Sequence, residues 1–191
     1  MDNDEWIDLY PDTEEYTSVE YPEAKNTRLL HITFLADATN GSCYVTRRSV
    51  TRYLGLIGKA VIKSYSKRQN TVETSTYGSE LVAMRIAMEA MLELRFKLRE
   101  MGVGFYETST ILCDNEAVVK NMQLPSSTLK KKHNACAYHR CREMIAASIA
   151  RVGHISGTLN TSDIMTKPKG PMDYYRLLKG VLFRKLGYGG S

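Results

Sequence analysis

From Leu29 to Ala36 the residues are mostly apolar, with β-branched Ile32 and Thr33 among them, and the run stops at Asp37 before the turn dipeptide Asn40-Gly41. This pattern predicts a buried strand that ends on a carboxylate. Two further strand-like runs, about Val50 to Ile57 and Lys59 to Tyr65, meet at Gly58 and predict an antiparallel meander with the first. Thr74, Ser75 and Thr76 offer helix-capping hydroxyls. Behind them Leu81, Met84, Met88, Met91, Leu92 and Leu98 recur at three and four spacing, predicting one long helix stopped at Gly102 with Glu80 in its first turns. A fourth strand, Thr110 to Cys113, ends at Asp114, and Asn115-Glu116 opens a short helix to about Met122. After Leu124-Pro125-Ser126-Ser127, Thr128 is placed to cap a helix running to about Ala150. A brief strand, Arg151 to Ile155, follows, and a last helix is expected to begin at Asp163.

Charge changes this picture. Met1 to Asn26 holds nine acidic residues and one basic, and the remainder holds 12 acidic and 25 basic, so a body of net charge +13 follows an arm of −8. A basic body of this kind expects a polyanion, and the arm is either a solvated tail or a patch packed on basic surface, pinned by Trp6, Ile7, Leu9 and Tyr10. Residues 1–27 are therefore read as an arm, 28–170 as the folded domain and 171–191 as a C-terminal helix and tail. No run of 18 apolar residues and no signal-type start is present, so the chain is expected to be soluble and intracellular. Cys43, Cys113, Cys136 and Cys141 form no Cys-x-x-Cys pair, and His31, His133, His139 and His154 complete no familiar zinc spacing. Reduced, mostly buried thiols are expected. His139 reads as a half-buried packing residue.

The elements alternate so that four acids, Asp37, Glu80, Asp114 and Asp163, stand at strand ends and helix starts. Taken singly each has a bland role as a turn former or a helix cap. Together with Thr46-Arg47-Arg48-Ser49, Ser66-Lys67-Arg68-Gln69 through Thr76, Ser79-Glu80, Cys113-Asp114-Asn115, Ser127-Thr128-Leu129-Lys130-Lys131-Lys132 and Asp163-Ile164-Met165-Thr166-Lys167-Pro168, they give a stronger signal. Over about residues 29–168 the chain resembles the ribonuclease H domain of Ty1/copia-type retrotransposon polyproteins. Glu5-Trp6-Ile7-Asp8-Leu9-Tyr10 is similar to the linker that precedes this domain in some copia elements.

The resemblance implies an α/β ribonuclease H-like fold, a mixed five-stranded sheet (three antiparallel strands, then two parallel) flanked by helices. It implies an endonuclease that hydrolyses the RNA strand of RNA/DNA hybrids, with Asp37, Glu80, Asp114 and Asp163 as catalytic residues holding two Mg²⁺ ions, for which Mn²⁺ can substitute. Hard oxygen ligands suit such ions. Asp37 is expected to touch both ions, with Glu80 and Asp114 on one side and Asp163 on the other. Arg47, Arg48, Gln69, Asn115, Lys130, Lys131 and Lys132 are candidates for gripping phosphates and sugar hydroxyls, and His154 is an auxiliary candidate. The implied partners are the hybrid and the reverse transcriptase polymerase and connection region of the same polyprotein, in a cytoplasmic virus-like particle or the nucleus. Thr51-Arg52-Tyr53 departs from the family, which commonly has a Gly there. The rival expectations are a catalytically weak or inactive nucleic-acid-binding module, as in a domesticated or decayed copy, and a DNA-cutting relative of the same fold.

Overall fold

The structure is a computed structural model, and it describes residues 4–15, 21–41, 43–129, 132–165 and 170–179. Five strands, β1 (Ile32–Thr39), β2 (Val50–Ile57), β3 (Ala60–Arg68), β4 (Ser109–Cys113) and β5 (Ala150–His154), form one sheet in the order β3-β2-β1-β4-β5. β1, β2 and β3 pair antiparallel, whereas β4 and β5 run parallel to β1. The helices are α1 (Asp4–Leu9), α2 (Thr76–Glu100), α3 (Glu116–Gln123), α4 (Ala135–Ala146) and α5 (Pro171–Lys179), with short 3-10 turns at Lys132–Asn134 and Thr161–Met165.

The meander forms where the apolar runs and the Gly58 turn predict it. Ile57 pairs with Ala60 across the two-residue turn Gly58-Lys59, and Gly58 takes φ 60°, a conformation open to it because it has no Cβ. The strands run on past the expected ends. β1 continues through Asp37 to Thr39 because β2 supplies ladder partners as far as Val50, and β3 extends to Arg68 for the same reason. The even positions of β1, with Tyr53 of β2, face the buried methionines of α2, so the core lies between the sheet and that helix. Phe34 lays its ring over Gly55 of the adjacent strand, where a Cβ would meet the ring at 2.7 Å.

Helix ends follow local chemistry. The Ser75 side chain accepts a hydrogen bond from the Gly78 amide, capping α2. At its far end Gly102 at φ 66° lets its own amide reach Arg99 O and the Val103 amide reach Leu98 O, a Schellman closure. The helix expected over 128–150 is shorter at both ends. A 3-10 turn precedes Ala135, and the end at Ala146 is a second Schellman closure, in which Ser148 at φ 57° does what glycine does elsewhere. The final helix is also divided: Asp163 lies in a 3-10 turn, and α5 starts at Pro171.

The arm packs on the body. Trp6 is buried and Tyr10 lies against the same core, while Ile7 and Leu9 are exposed and pin nothing. The Arg142 guanidinium lies 4.6 Å from the Trp6 ring centre and 5.0 Å from that of Tyr138, and it donates to carbonyls of Asn121, Leu124 and Pro125. Farther on, Glu15 accepts hydrogen bonds from both Arg95 and Arg99. For Glu15 at least, the arm is a patch on basic surface. His139 is exposed and bonds the Tyr10 hydroxyl at 2.8 Å, contrary to the expected half-buried packing role.

Candidate active site

The acids meet where the C-terminal end of β1 lies beside that of β4. Asp37 is buried inside β1, and Asp114 follows β4 directly. Glu80, also buried, comes from the second turn of α2. That turn is fixed by Gln69, whose amide donates to Ser79 O at 2.9 Å and to Thr51 Oγ1 at 3.0 Å. Glu80, Asp114 and Cys113 bring one ligand atom each to within 4.8 Å of one another. The Cys113 thiol donates toward Glu80 Oε2 at 3.9 Å. Burial, then the negative charge of Glu80, and further Asp114 and Asp37, push this thiol's pKa up, so it is a neutral thiol beside the acids.

Asp163 reaches the cluster through a residue that sequence reasoning passed over. Asn160 is fully buried: its Nδ2 donates to Ala36 O, next to Asp37, while its Oδ1 accepts from the amide and hydroxyl of Ser162. This bond ties the turn carrying Asp163 to β1 and β2. The only sequence signal was an Asn three residues before an Asp, a common turn pattern. Gly157, in the same loop, comes so close to Asp114 that a Cβ would sit 3.3 Å from its Oδ2.

A cation already stands in this group. Asp37 and Arg52 are direct cross-strand partners, so their side chains leave the same face of the sheet. Arg52 Nη1 donates to Asp37 Oδ2 at 2.8 Å, with both side chains 2% exposed, and Nη2 donates to the Thr39 hydroxyl. Burial lowers the pKa of the guanidinium, while the charges of Asp37, then Asp163 and Glu80, act in the opposite sense. Asp37 and Glu80 thus act on both Cys113 and Arg52, whereas Asp114 acts on Cys113 and Asp163 on Arg52.

The donor chemistry suits a hard divalent ion at Glu80 and Asp114, where carboxylate oxygens converge beside a neutral thiol. On the Asp37 side the same chemistry is present, but Arg52 holds one oxygen.

The substrate-contact candidates separate. Arg47, Arg48 and Lys132 are exposed. Gln69 is buried and committed to Thr51 and Ser79, so it holds the fold rather than a sugar. Asn115 caps α3, its Oδ1 accepting from the Ala117 and Val118 amides. Lys130 and Lys131 lie outside the described residues. His154 is exposed at the end of β5, and its ring Nε2 lies 3.2 Å from Asp114 O. Two thiols, Cys113 and Cys141, are buried, Cys136 is exposed, and all four cysteines are free.

Among solved structures, the N-terminal RNase H domain of a Mycobacterium tuberculosis protein matches 78% of this chain and 97% of its own, at a TM-score of 0.54 and 10% identity. LC11-RNase H1 in complex with an RNA/DNA hybrid matches 68% of this chain and 88% of its own, at 0.52 and 16%. The fold is that of ribonuclease H. Among curated sequences, this ribonuclease H-fold chain is 28% identical over 137 residues to the retrovirus-related Pol polyprotein from transposon TNT 1-94 of Nicotiana tabacum, which is 71% of the chain. It is 29% identical over 144 residues, 75% of the chain, to that of transposon RE1 of Arabidopsis thaliana. The chain spans about a tenth of the length of these polyproteins. No protein-family model matches it. The resemblance read from the motifs and the relatives found by comparison thus agree: the chain is similar to a segment of transposon Pol polyproteins and has the ribonuclease H fold. No helix among the described residues is long and apolar enough to cross a membrane.

Proposed function

We propose that this domain is a metal-dependent endonuclease that hydrolyses the RNA strand of RNA/DNA hybrids during retrotransposon reverse transcription. The observation that carries this reading is the approach of Glu80 and Asp114 to within 4.8 Å of one another at the C-terminal ends of β1 and β4, in a ribonuclease H fold, where Asp37 stands in β1 and the turn carrying Asp163 is tied on by Asn160. Asp37, Glu80, Asp114 and Asp163 would hold two Mg²⁺ or Mn²⁺ ions. When bound, such ions lower the pKa of the attacking water and stabilise the leaving 3′ oxygen.

The chain's own residues do the rest. Asp37, Glu80 and Asp163 are buried and Asp114 partly so, on β1, α2, a 3-10 turn and the end of β4, so little ordering remains to be done when ions and phosphate arrive. Cys113 lines the site as a buried thiol whose pKa burial and the neighbouring acids push up. Exposed Arg47, Arg48 and Lys132 supply phosphate contacts, which makes binding nearly independent of base sequence and steeply weakened by salt. The exposure of His154 and the 3.2 Å approach of its Nε2 to Asp114 O support an auxiliary role for it in proton transfer or product release. The partner within the parent polyprotein would be its polymerase and connection region, in a cytoplasmic particle or the nucleus.

The deciding experiment incubates the protein with a strand-labelled hybrid in Mg²⁺ or Mn²⁺. RNA-strand products with 5′ phosphate and 3′ hydroxyl ends are expected. Absence of hybrid-specific cleavage, or equal cleavage by Asp114→Asn, sinks the reading. One observation favours a second reading, a catalytically weak or inactive hybrid-binding module: the guanidinium of Arg52 on Asp37. That reading expects salt-sensitive hybrid binding without metal-dependent product.

A further inference from the structure

We propose that Arg52 is the resident cation of the Asp37 side of the acid cluster, so that a divalent ion binds there only by displacing its guanidinium. This rests on the metal-site reading above and deepens it: ion loading on that side becomes a competition between the chain's own cation and the free one.

The cross-strand register places the two groups together. Asp37 and Arg52 are opposite residues of an antiparallel pair, and the turn carrying Asp163 packs against both of their strands. No backbone movement is needed to bring them into contact, and they meet at 2.8 Å with almost no exposure to water. Thr39, two residues along the same face of β1, receives the second guanidinium nitrogen.

What Arg52 leaves unmet is equally informative. Its Nε is buried and makes no hydrogen bond among the described residues, a loss that a guanidinium placed only for packing would avoid by turning to a carbonyl. Arg142 shows the contrast, with Nε on the Tyr10 hydroxyl and its other nitrogens on carbonyls and a serine. Arg52 is placed for the charge of Asp37, with Asp163 and Glu80 acting on it as well.

A guanidinium offsets carboxylate charge as a divalent ion does, and Arg52 offsets that of Asp37 while no metal is bound. It cannot polarise a water. It is monovalent and planar and has only donors to offer. Ser66, the ladder partner of Arg52 on β3, is small and exposed, which leaves a route to solvent for a rotated Arg52 side chain. Glu80 and Asp114 bring ligand atoms within 4.8 Å of one another beside Cys113, and a first ion would bind on that side.

Two measurements on the full chain test this. In the first, Mn²⁺ is titrated into parent and Arg52→Gly protein, and the free ion is followed by electron paramagnetic resonance. With the competing cation gone, the weaker apparent dissociation constant should fall about tenfold, since an apparent constant is the intrinsic one divided by the competent fraction. Equal constants overturn the proposal and leave the metal site standing, whereas no Mn²⁺ bound by either protein overturns the metal-site reading and this proposal with it. The second measurement is a metal-free thermal midpoint, which requires no folded Arg52→Gly protein. Asp37→Asn should lower it by about 10 °C, because a buried guanidinium loses its carboxylate, while Glu80→Gln should leave it unchanged or raise it. A midpoint raised by Asp37→Asn would mean that Asp37 is dominated by repulsion from its fellow acids, and the proposal would fall.

Discussion

The acid cluster and the clamp that holds the N-terminal arm both bury charge, in inverse proportions. At the clamp one carboxylate, Glu15, receives two guanidinium groups, Arg95 and Arg99, and both cations also lie over the Phe105 ring at 4.9 and 5.1 Å. At the cluster one guanidinium, Arg52, lies within electrostatic reach of Asp37, Asp163 and Glu80, with Asp114 close by. The clamp is closed by protein groups alone: Arg95 even finds the Ser109 hydroxyl for its remaining nitrogen. The cluster collects more negative charge than Arg52 carries. An arrangement of the first kind stabilises a fold, and one of the second kind is a place for added cations.

The sharpest way to break this comparison is to exchange the readouts. Asp114→Asn should reduce hybrid cleavage about 10³-fold, roughly 4 kcal/mol of barrier, measured as initial rate on a labelled hybrid. Glu15→Gln should leave the rate per folded molecule unchanged. Comparable losses in both would show that the two regions do not differ in kind.

Stability should respond the other way. Glu15→Gln leaves Arg95, whose side chain is 0% exposed, without its ionic partner, and should lower unfolding free energy by about 3 kcal/mol, read from urea denaturation. Acid should act on the parent in the same direction. Burial alone would raise the Glu15 pKa, but the hydrogen bonds and charges of Arg95 and Arg99 outweigh it and hold the carboxyl below its ordinary value. A lowered folded value means that the clamp's contribution is whole above the unfolded value of about 4.3 and is lost as pH falls through the folded one. The stability difference between parent and Glu15→Gln should therefore be constant from pH 7 to 5 and shrink below that, in denaturation curves at stepped pH. A difference that stays constant into strong acid would remove Glu15 from the clamp.

The smallest effect concerns a residue beside the cluster. Asn115→Ala removes the cap of α3 and should lower stability by about 1 kcal/mol. A loss of hybrid affinity beyond that of the parent's salt-dependent scatter would restore Asn115 as a substrate contact.

Much of the fold was legible because its signals are local. The apolar runs of β1 and β2, the turn at Gly58, the hydroxyl cap at Ser75 and the stop at Gly102 each lie within a few residues of what they control. The end of α4 was missed for an equally local reason. Ser148 adopts the left-handed conformation that usually advertises itself as glycine, so the closure at Ala146 carries no visible mark. The start was misplaced because Thr128 has the chemistry of a cap but the α-helix begins at Ala135, after a 3-10 turn at Lys132–Asn134. For the candidate site the four acids were legible as residues, and Gln69 was legible only as a polar residue near a basic pair. Its burial depends on Thr51 and Ser79, which are distant in sequence.

By itself the sequence determined the order of elements, the separation of an acidic arm from a basic body, and which carboxylates stand at element ends, because each of these is a property of neighbours along the chain. Only the tertiary structure decided which charges face one another. That Arg52 meets Asp37, that Asn160 ties Asp163 to β1, and that Glu15 lies between Arg95 and Arg99 follow from strand register and packing across 15, 124 and 80 residues of sequence separation. Electrostatic energy depends on those distances and on the water excluded from them, and neither is written in the order of residues.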